Sequence, residues 1–254
     1  MPAETPGPSV AFHGVIKRFG DGPPAVDDVS LEIAGGRFVA LVGTSGSGKS
    51  TLLKTINRLV QPSAGRVTID GADVTARPLP DLRRSIGYVF QNVGLFPHLT
   101  VAENIALPLR IAGEPPRSRL GEMLDLVELP HDLATRLPAE LSGGQRQRIG
   151  VARALVTGPR LMLMDEPFGA LDPVTRDSLG QAVHALHQRL GLTTVMVTHD
   201  MAEALLLADR VLVMRGGRIV ADETPQALLA GAGGEAAQAL VAVPRTQAER
   251  LAAR

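Results

Sequence analysis

The chain has 254 residues, of which 44% are hydrophobic and 20% charged, a composition that excludes extensive disorder. Its 26 basic and 26 acidic residues cancel, so the basic excess typical of nucleic-acid binders is absent and no nucleic acid is expected as a partner. The absence of cysteine excludes disulfides and thiolate chemistry. No apolar run approaches the roughly 18 residues that span a bilayer, and the Pro-rich start does not form a secretory signal. We therefore expect a cytoplasmic protein.

In chain order, residues 1–9 are expected to form a flexible tail. Residues 10–36 alternate apolar and polar side chains between glycine-containing breaks, which predicts short antiparallel strands. The apolar run 37–42 predicts a buried parallel strand, and residues 51–60 have the apolar spacing of a helix. Two further short strands are predicted at 66–70 and 86–90.

The second half of the chain alternates between helical and strand-like segments. Residues 101–158 are mostly helical in pattern. The strand-like runs that follow are 161–165, 193–198 and 210–217, and the helical ones between them are 174–190 and 200–208. This alternation predicts a parallel sheet covered by helices. The Ala-rich residues 226–254 predict a helix and a loose tail.

A glycine-rich motif follows the first buried strand. Residues 43–50 match G-x-x-x-x-G-K-[ST], a loop whose backbone N–H groups surround phosphates at the start of a helix. Lys49 is expected to reach the β and γ phosphates, and the Ser50 hydroxyl to bind Mg²⁺. The predicted nucleotide-binding residues of this loop are Gly43, Thr44, Ser45, Gly46, Ser47, Gly48, Lys49, Ser50 and Thr51.

Two acidic residues end the strand at 161–165. Asp165 is expected to hold Mg²⁺ through a water molecule, and Glu166 to polarise the attacking water as a general base. Without the phosphate loop, the same residues would be a core strand followed by two solvated acids. Together with that loop, they indicate a nucleotide hydrolase.

The sequence LSGGQ at residues 141–145 lies between these two motifs. The phosphate loop, LSGGQ and the acidic strand in this order resemble the ATP-binding subunit of an ABC transporter, over about residues 10–229. The resemblance implies an α/β P-loop NTPase (RecA-like) fold. Its mostly parallel sheet would carry an antiparallel β subdomain and a helical signature subdomain at about 92–158. Residues 230–254 would be an Ala-rich tail, too short for the CBS modules found in many relatives.

The resemblance also implies a composite site, because two subunits of this family pack head to tail. The residues expected to contact ATP held by the second copy are Ser142, Gly143, Gly144, Gln145 and Asp172. A helix that opens at the signature suits this role, since its N–H groups and dipole can face an anion. We therefore expect a homodimer with two composite ATP sites.

Three more residues match the site of that family. Phe19 lies where an aromatic ring, commonly Tyr, stacks on adenine, with ordinary core packing as the alternative. Gln91 matches the glutamine that contacts Mg²⁺ and the attacking water, and His199 the histidine that contacts the γ-phosphate. The resemblance thus implies ATP and Mg²⁺ as ligands. Its catalytic residues would be Glu166, His199 and Lys49, and its metal-contacting residues Ser50, Gln91 and Asp165.

The remaining histidines and the strand methionines are expected to be structural, because they show no metal-ligand spacing and lie in apolar runs. They are His13, His98, His131, His184, His187, Met162, Met164 and Met196.

Segments outside the chemistry resemble the osmoprotectant branch of the importers, namely 56–60 (INRLV), 91–98 (QNVGLFPH) and the importer pattern at 167–173. The implied function is ATP hydrolysis that drives uptake of glycine betaine, carnitine or choline. Two alternatives stay open: an importer ATPase for amino acids or other small organic solutes, and a soluble ABC ATPase without a transport role. The implied partners are transmembrane permease subunits, docked near 95–107, and an extracytoplasmic substrate-binding protein. The chain would lie peripherally on the cytoplasmic face of the cell membrane.

Overall fold

The structure is a computed structural model that describes residues 5–115 and 119–252. Its strands are β1 (Val10–Lys17), β2 (Val26–Ile33), β3 (Phe38–Val42), β4 (Ala64–Ile69), β5 (Ala72–Asp73), β6 (Ile86–Val89), β7 (Leu161–Asp165), β8 (Thr193–Thr198), β9 (Arg210–Arg215) and β10 (Arg218–Glu223). Its α-helices are α1 (Lys49–Ile56), α2 (Leu79–Arg84), α3 (Val101–Ala112), α4 (Leu120–Leu126), α5 (Gly143–Leu155), α6 (Pro173–Leu190), α7 (Met201–Leu207), α8 (Pro225–Leu229) and α9 (Gly234–Ala252).

The larger sheet has six strands in the order β10-β9-β3-β8-β7-β6. All neighbouring pairs are parallel except β10 with β9, and a second sheet, β2-β1-β4-β5, is antiparallel. The predicted mostly parallel sheet with an antiparallel β subdomain is thus confirmed. Val42 pairs with Thr198 and Asp165 with Val197, so β3, β7 and β8 end at the same edge.

The core divides between the two faces of the six-stranded sheet, because successive strand side chains point to opposite sides. On β3, Phe38, Ala40 and Val42 face the helical side, while Val39 and Leu41 pack with the antiparallel sheet. The strand methionines Met162, Met164 and Met196 are buried on the helical side, as predicted. Burial of each such side chain contributes about 1.5–3 kcal/mol.

The helices α3, α4 and α5 lie within the segment 92–158 that the sequence assigns to a helical subdomain. A capping box between Thr100 and Glu103 begins α3. The buried Asn104 accepts a hydrogen bond from the backbone N–H of Phe96 and donates to the carbonyls of Phe96, Leu99 and Thr100. One amide side chain thereby fixes the loop that precedes α3.

Both chain ends differ from the predicted loose tails. Gly7 is buried and its N–H donates to the carbonyl of Gly191 at 2.7 Å, and Ser9 bonds Asp70, so residues 5–9 are held against the two sheets. In α9, Ala237 and Val241 are four residues apart and so lie on the same helix face. Both side chains are buried and pack in the apolar core. Residues 1–4 and 253–254 of the predicted tails lie outside the described residues. Within the described part, no helix is long and apolar enough to cross a membrane.

Candidate nucleotide-binding site

The loop between β3 and α1 has a backbone that requires glycine. Gly43 and Gly48 have φ angles of 156° and 103°. A Cβ at Gly43 would lie 2.1 Å from the Met214 carbonyl oxygen, and one at Gly48 2.0 Å from that of Ala25. No side chain caps the start of α1, so the N–H groups of its first turn face the loop. This cradle fits an anionic phosphate group.

Lys49 extends from the first turn of α1 into the loop. Its Nζ donates to the carbonyl oxygens of Gly43 at 2.7 Å and Thr44 at 2.9 Å. Burial lowers the pKa of Lys49, and the nearby carboxylates of Glu166 and Asp165 act in the opposite direction. The ammonium group is thus held beneath the phosphate cradle and beside both acids.

Asp165, the last residue of β7, is only 4% exposed and accepts three contacts. Its Oδ1 accepts a hydrogen bond from the Ser50 hydroxyl at 2.6 Å, and its Oδ2 lies 2.8 Å from Nζ of Lys54 and 3.3 Å from the Tyr88 hydroxyl. Burial and the carboxylate raise the pKa of Tyr88, so this hydroxyl remains a donor. A hydroxyl and one carboxylate are hard oxygen ligands of the kind that hold Mg²⁺ together with substrate phosphates.

Glu166 follows directly and has a left-handed backbone with φ of 47°. Such a conformation costs on the order of 1–3 kcal/mol for a residue other than glycine. Its N–H donates to the Val197 carbonyl at 2.9 Å, which anchors the turn to β8. One carboxylate oxygen, Oε2, lies 3.2 Å from Nε2 of Gln91 and 3.2 Å from Nδ1 of His199.

Gln91 and His199 reach Glu166 because their strands are parallel. Gln91 follows β6 and His199 follows β8, and both strands flank β7. All three loops therefore leave the same edge of the sheet. The structure thus brings together six of the predicted site residues, Lys49, Ser50, Gln91, Asp165, Glu166 and His199.

The signature residues form a separate group at the start of α5. Ser142 caps this helix by accepting from the Gln145 N–H at 3.2 Å, and the Gln145 side chain accepts from the Ser142 N–H at 2.9 Å. Gly144 packs against α6, where an added Cβ would lie 2.4 Å from Cγ2 of Thr175. Among the described contacts, no hydrogen bond or ion pair joins residues 142–145 to the phosphate loop.

Asp172 belongs to this second group. It caps α6 by accepting from the Thr175 N–H at 3.0 Å, and the hydrogen bonds from Thr175 lower its pKa. Leu171 lies near Gly143, so the two segments form one surface. Contact of this surface with ATP held by a second copy stays a prediction.

Phe19 lies in the loop between β1 and β2 and is 58% exposed. Its ring therefore does not pack in the core, which excludes the structural alternative. Nζ of Lys17 lies 4.9 Å from the ring centroid. The same loop reaches the phosphate loop through Ala25. Stacking on adenine stays a prediction.

Two residues that hold Asp165, Lys54 and Tyr88, were not predicted from the sequence. Lys54 follows Ser50 by four positions, so both lie on the same face of α1, and this spacing was the available signal. Tyr88 on β6 gave no comparable signal, because only the strand order places its hydroxyl near β7.

The five other histidines lie in structural contacts or on the surface. His13 bonds Thr68, His131 bonds Asp125, and His187 bonds Thr194 beside the ring of Phe38. No cluster of three His, Cys, Asp or Glu side chains suited to a metal occurs among the described residues.

Comparison with known protein families gives a match: residues 26–169 match the family described as ABC transporter. The chain belongs to the ABC transporter family. It is 49% identical over 218 residues to the glycine betaine/carnitine/choline transport ATP-binding protein OpuCA of Bacillus subtilis, covering 85% of this chain and 57% of that protein. It is also 49% identical over 220 residues to the Fe(3+) ions import ATP-binding protein FbpC of Pseudomonas fluorescens, covering 85% and 62%.

A solved structure is similar as well. The dimeric post-hydrolysis state of the ATP-binding cassette MJ0796 bound to ADP and Pi superposes with a TM-score of 0.76 at 37% identity, covering 85% of this chain and 98% of that one. This likeness confirms the predicted ABC ATPase fold. The chain spans a little over half the length of the curated transport relatives that it matches.

Proposed function

We propose that this chain hydrolyses ATP as the nucleotide-binding subunit of an ABC importer. The observation that carries the proposal is the meeting of Gln91 and His199 at one carboxylate oxygen of Glu166. This carboxylate lies next to the buried Asp165 and within electrostatic reach of Lys49. A base, two groups that orient it and a phosphate cradle thus converge at one edge of the sheet.

In this proposal the loop 43–51 binds the phosphates of ATP through backbone N–H groups and Lys49. Ser50, Asp165 and Gln91 would hold Mg²⁺, which would neutralise negative charge on the phosphates when bound. Phe19 would stack on the adenine, since its ring face is exposed.

In the hydrolytic step, each residue that meets at this edge of the sheet has one role. Glu166 accepts a proton from the attacking water as the bond from the water oxygen to the γ-phosphorus forms. The bond from that phosphorus to the β–γ bridging oxygen breaks, so that ADP leaves and inorganic phosphate is the second product. Gln91 keeps that carboxylate and the water aligned, and Lys49 and His199 stabilise the negative charge on the γ-phosphate in the transition state. The left-handed backbone of Glu166 is consistent with this role, because strain of this kind concentrates at functional sites.

A second copy of the chain would complete each site. Residues 142–145 and Asp172 form one surface apart from the phosphate loop, and the signature residues open the 13-residue helix α5. This surface would contact the γ-phosphate held by the partner copy in a head-to-tail homodimer. The dimeric state of the ADP-bound cassette MJ0796 supports the arrangement.

A permease would dock at the groove between α2, β6 and α3. The groove measures about 310 Å³, and its apolar lining includes Tyr88, Phe90, Leu107, Pro108 and Ile111. Phe90 and Ile111 are 46% and 69% exposed, so a partner helix can cover them. Phe90 immediately precedes Gln91, which would connect this groove to the site. Peripheral attachment to the cytoplasmic face of the cell membrane follows from such docking.

The proposed solutes are quaternary-amine osmoprotectants such as glycine betaine, carnitine and choline. The support comes from the segments 56–60 and 91–98 and from the transport name of the Bacillus relative. The relative named for iron import also shares 49% sequence identity with this chain, so the proposed solute rests on these segments and not on overall identity. A binding protein outside the membrane and the permease would contact the solute.

Two measurements test the proposal. Purified protein should release phosphate from MgATP, and a Lys49→Ala variant should not; equal rates in both would contradict the assigned site. Proteoliposomes containing the chain, its permease and its binding protein should then take up labelled betaine, carnitine or choline when ATP is supplied on the side of the ATPase. Robust uptake of a labelled amino acid and of none of these three would overturn the solute assignment while leaving the ATPase assignment intact.

A further inference from the structure

Arg176, on the first turns of α6, contacts both the loop before this helix and the loop after β8. Its Nη2 donates to the Leu171 carbonyl at 3.1 Å, one residue before Asp172. Its Nη1 lies 3.3 Å from Oδ2 of Asp200, one residue after His199. The guanidinium group therefore spans the two loops that carry Asp172 and His199.

A second set of contacts ties the guanidinium to the residue before His199. Nε of Arg176 lies 3.7 Å from Oε1 of Glu203, and Oε2 of Glu203 accepts from the Thr198 hydroxyl at 2.6 Å. The Asp200 N–H donates to the same hydroxyl at 3.0 Å. His199 is thus flanked on both sides by residues in one network with Arg176.

The network that joins Arg176 to Glu203 lies largely buried, next to His199. Glu203 is 9% exposed, and its burial raises its pKa while the hydrogen bond from Thr198 and the charge of Arg176 oppose that rise. Nε of Arg176 is itself buried and has no acceptor within hydrogen-bond distance. A shift of Arg176 toward Glu203 by a few tenths of an ångström would form that bond and move its contact with Leu171.

We propose that Arg176 is a positioning residue that couples the loop of Asp172 to the orientation of His199. When a partner copy displaces the loop 169–172, the planar guanidinium transmits that displacement to Asp200 and Glu203, and through Thr198 and Asp200 to the imidazole. Its forked donors bond several acceptors at fixed angles, which a lysine cannot do. This inference rests on the proposed function, because it assigns a partner contact to Asp172.

The test compares Arg176→Met with a matched control, Arg210→Met. Arg210 also joins a carbonyl, that of Glu32, to a carboxylate, that of Asp222, but it begins β9 at the opposite edge of the sheet. We expect Arg176→Met to lower kcat roughly tenfold to hundredfold with little change in the KM for ATP, since misorientation costs rate rather than binding. Arg176→Lys should restore only part of kcat, and Arg210→Met should retain it.

A double-mutant cycle separates this role from a merely structural one. If Arg176 acts through His199, Arg176→Met in a His199→Ala background should change the rate by less than about twofold. The inference would be overturned if the kcat losses of the two single variants multiplied in the double variant. It would also be overturned if Arg176→Met left kcat unchanged.

Histidine ring NMR gives a readout that does not depend on turnover. The His199 signal, assigned by its loss in His199→Ala, should shift in Arg176→Met and stay in place in Arg210→Met. Where the His199→Ala rate is too low to measure, an unshifted signal overturns the inference. If the unsubstituted chain hydrolyses no ATP, the proposed function fails, whereas the NMR comparison still decides whether Arg176 sets His199.

Discussion

The imidazole Nδ1 of His199 lies 3.2 Å from Oε2 of Glu166. These residues are 33 positions apart in sequence and meet because β7 and β8 are adjacent and parallel. The same oxygen contacts Gln91, so one carboxylate oxygen contacts two polar groups from two different loops. These two contacts by themselves orient the side chain of Glu166.

Replacement of Glu166 by Gln should lower the rate of ATP hydrolysis at least about a hundredfold, because the general base is removed while the shape is kept. ATP should then hold two copies together, since the γ-phosphate is no longer lost. Phosphate release measures the first effect, and size-exclusion chromatography with MgATP measures the second.

Glu122→Gln is the matched control for this variant, because Glu122 is an exposed carboxylate on α4. It should hydrolyse ATP like the unsubstituted chain. A normal rate in Glu166→Gln would show that another group is the base.

Removal of the Lys54 charge should destabilise the fold. In Lys54→Met, the buried Asp165 loses a cation at 2.8 Å, while the hydrogen bonds from Ser50 and Tyr88 remain. Since Lys54 is 35% exposed, we expect a loss of about 1–2 kcal/mol in the free energy of unfolding. Urea denaturation measures this loss.

MgATP should narrow the difference between Lys54→Met and the unsubstituted chain, since a cation near Asp165 again compensates its charge. Arg110→Met, which removes an exposed cation from α3, should show little change in either condition. If Lys54→Met left the free energy of unfolding unchanged, solvent would already screen the charges of Lys54 and Asp165.

Gly144→Ala should be destabilising, although alanine is the better helix former. The new Cβ would lie 2.4 Å from Cγ2 of Thr175, so either the Thr175 side chain must rotate or α5 and α6 must separate. We expect a cost of about 1–3 kcal/mol, observed as a lower thermal midpoint. Thr175→Ser removes that methyl group and should recover most of the loss in the double variant. A double variant no more stable than Gly144→Ala would place the strain elsewhere.

The pH dependence of stability should report on His187. Burial, with the nearby His184 acting in the same direction and Asp209 in the opposite one, lowers the pKa of His187 to about 4 from 6.5. The unfolded chain therefore takes up a proton as the pH falls through 6.5, whereas the folded chain does so only near pH 4. The free energy of unfolding should thus decrease over this range, by on the order of 1–3 kcal/mol.

His187→Gln should flatten this part of the profile, measured as the urea midpoint between pH 7 and pH 4. His131→Gln is the control, because His131 is exposed and pairs with the exposed Asp125. A profile that keeps its full slope in His187→Gln would assign the effect to other groups.

The local elements were predictable because their residues carry their own signals. The continuous apolar runs of β3, β7 and β8 indicated buried strands. The six-residue helix α2 was not predicted, since it is too short for a periodic pattern. The loose ends were also mispredicted, because the contact of Gly7 with Gly191 and the burial of Ala237 depend on partners remote in sequence.

By itself, the sequence determined the phosphate loop, the acidic strand end and the signature, because each is a short run whose spacing is set by local backbone chemistry. Only the tertiary structure decided that Lys54 and Tyr88 hold Asp165, that Gln91 and His199 meet at one oxygen of Glu166, and that Arg176 spans two loops. These contacts depend on strand order and helix packing. Both arise from the burial of the whole core, and no short segment encodes them.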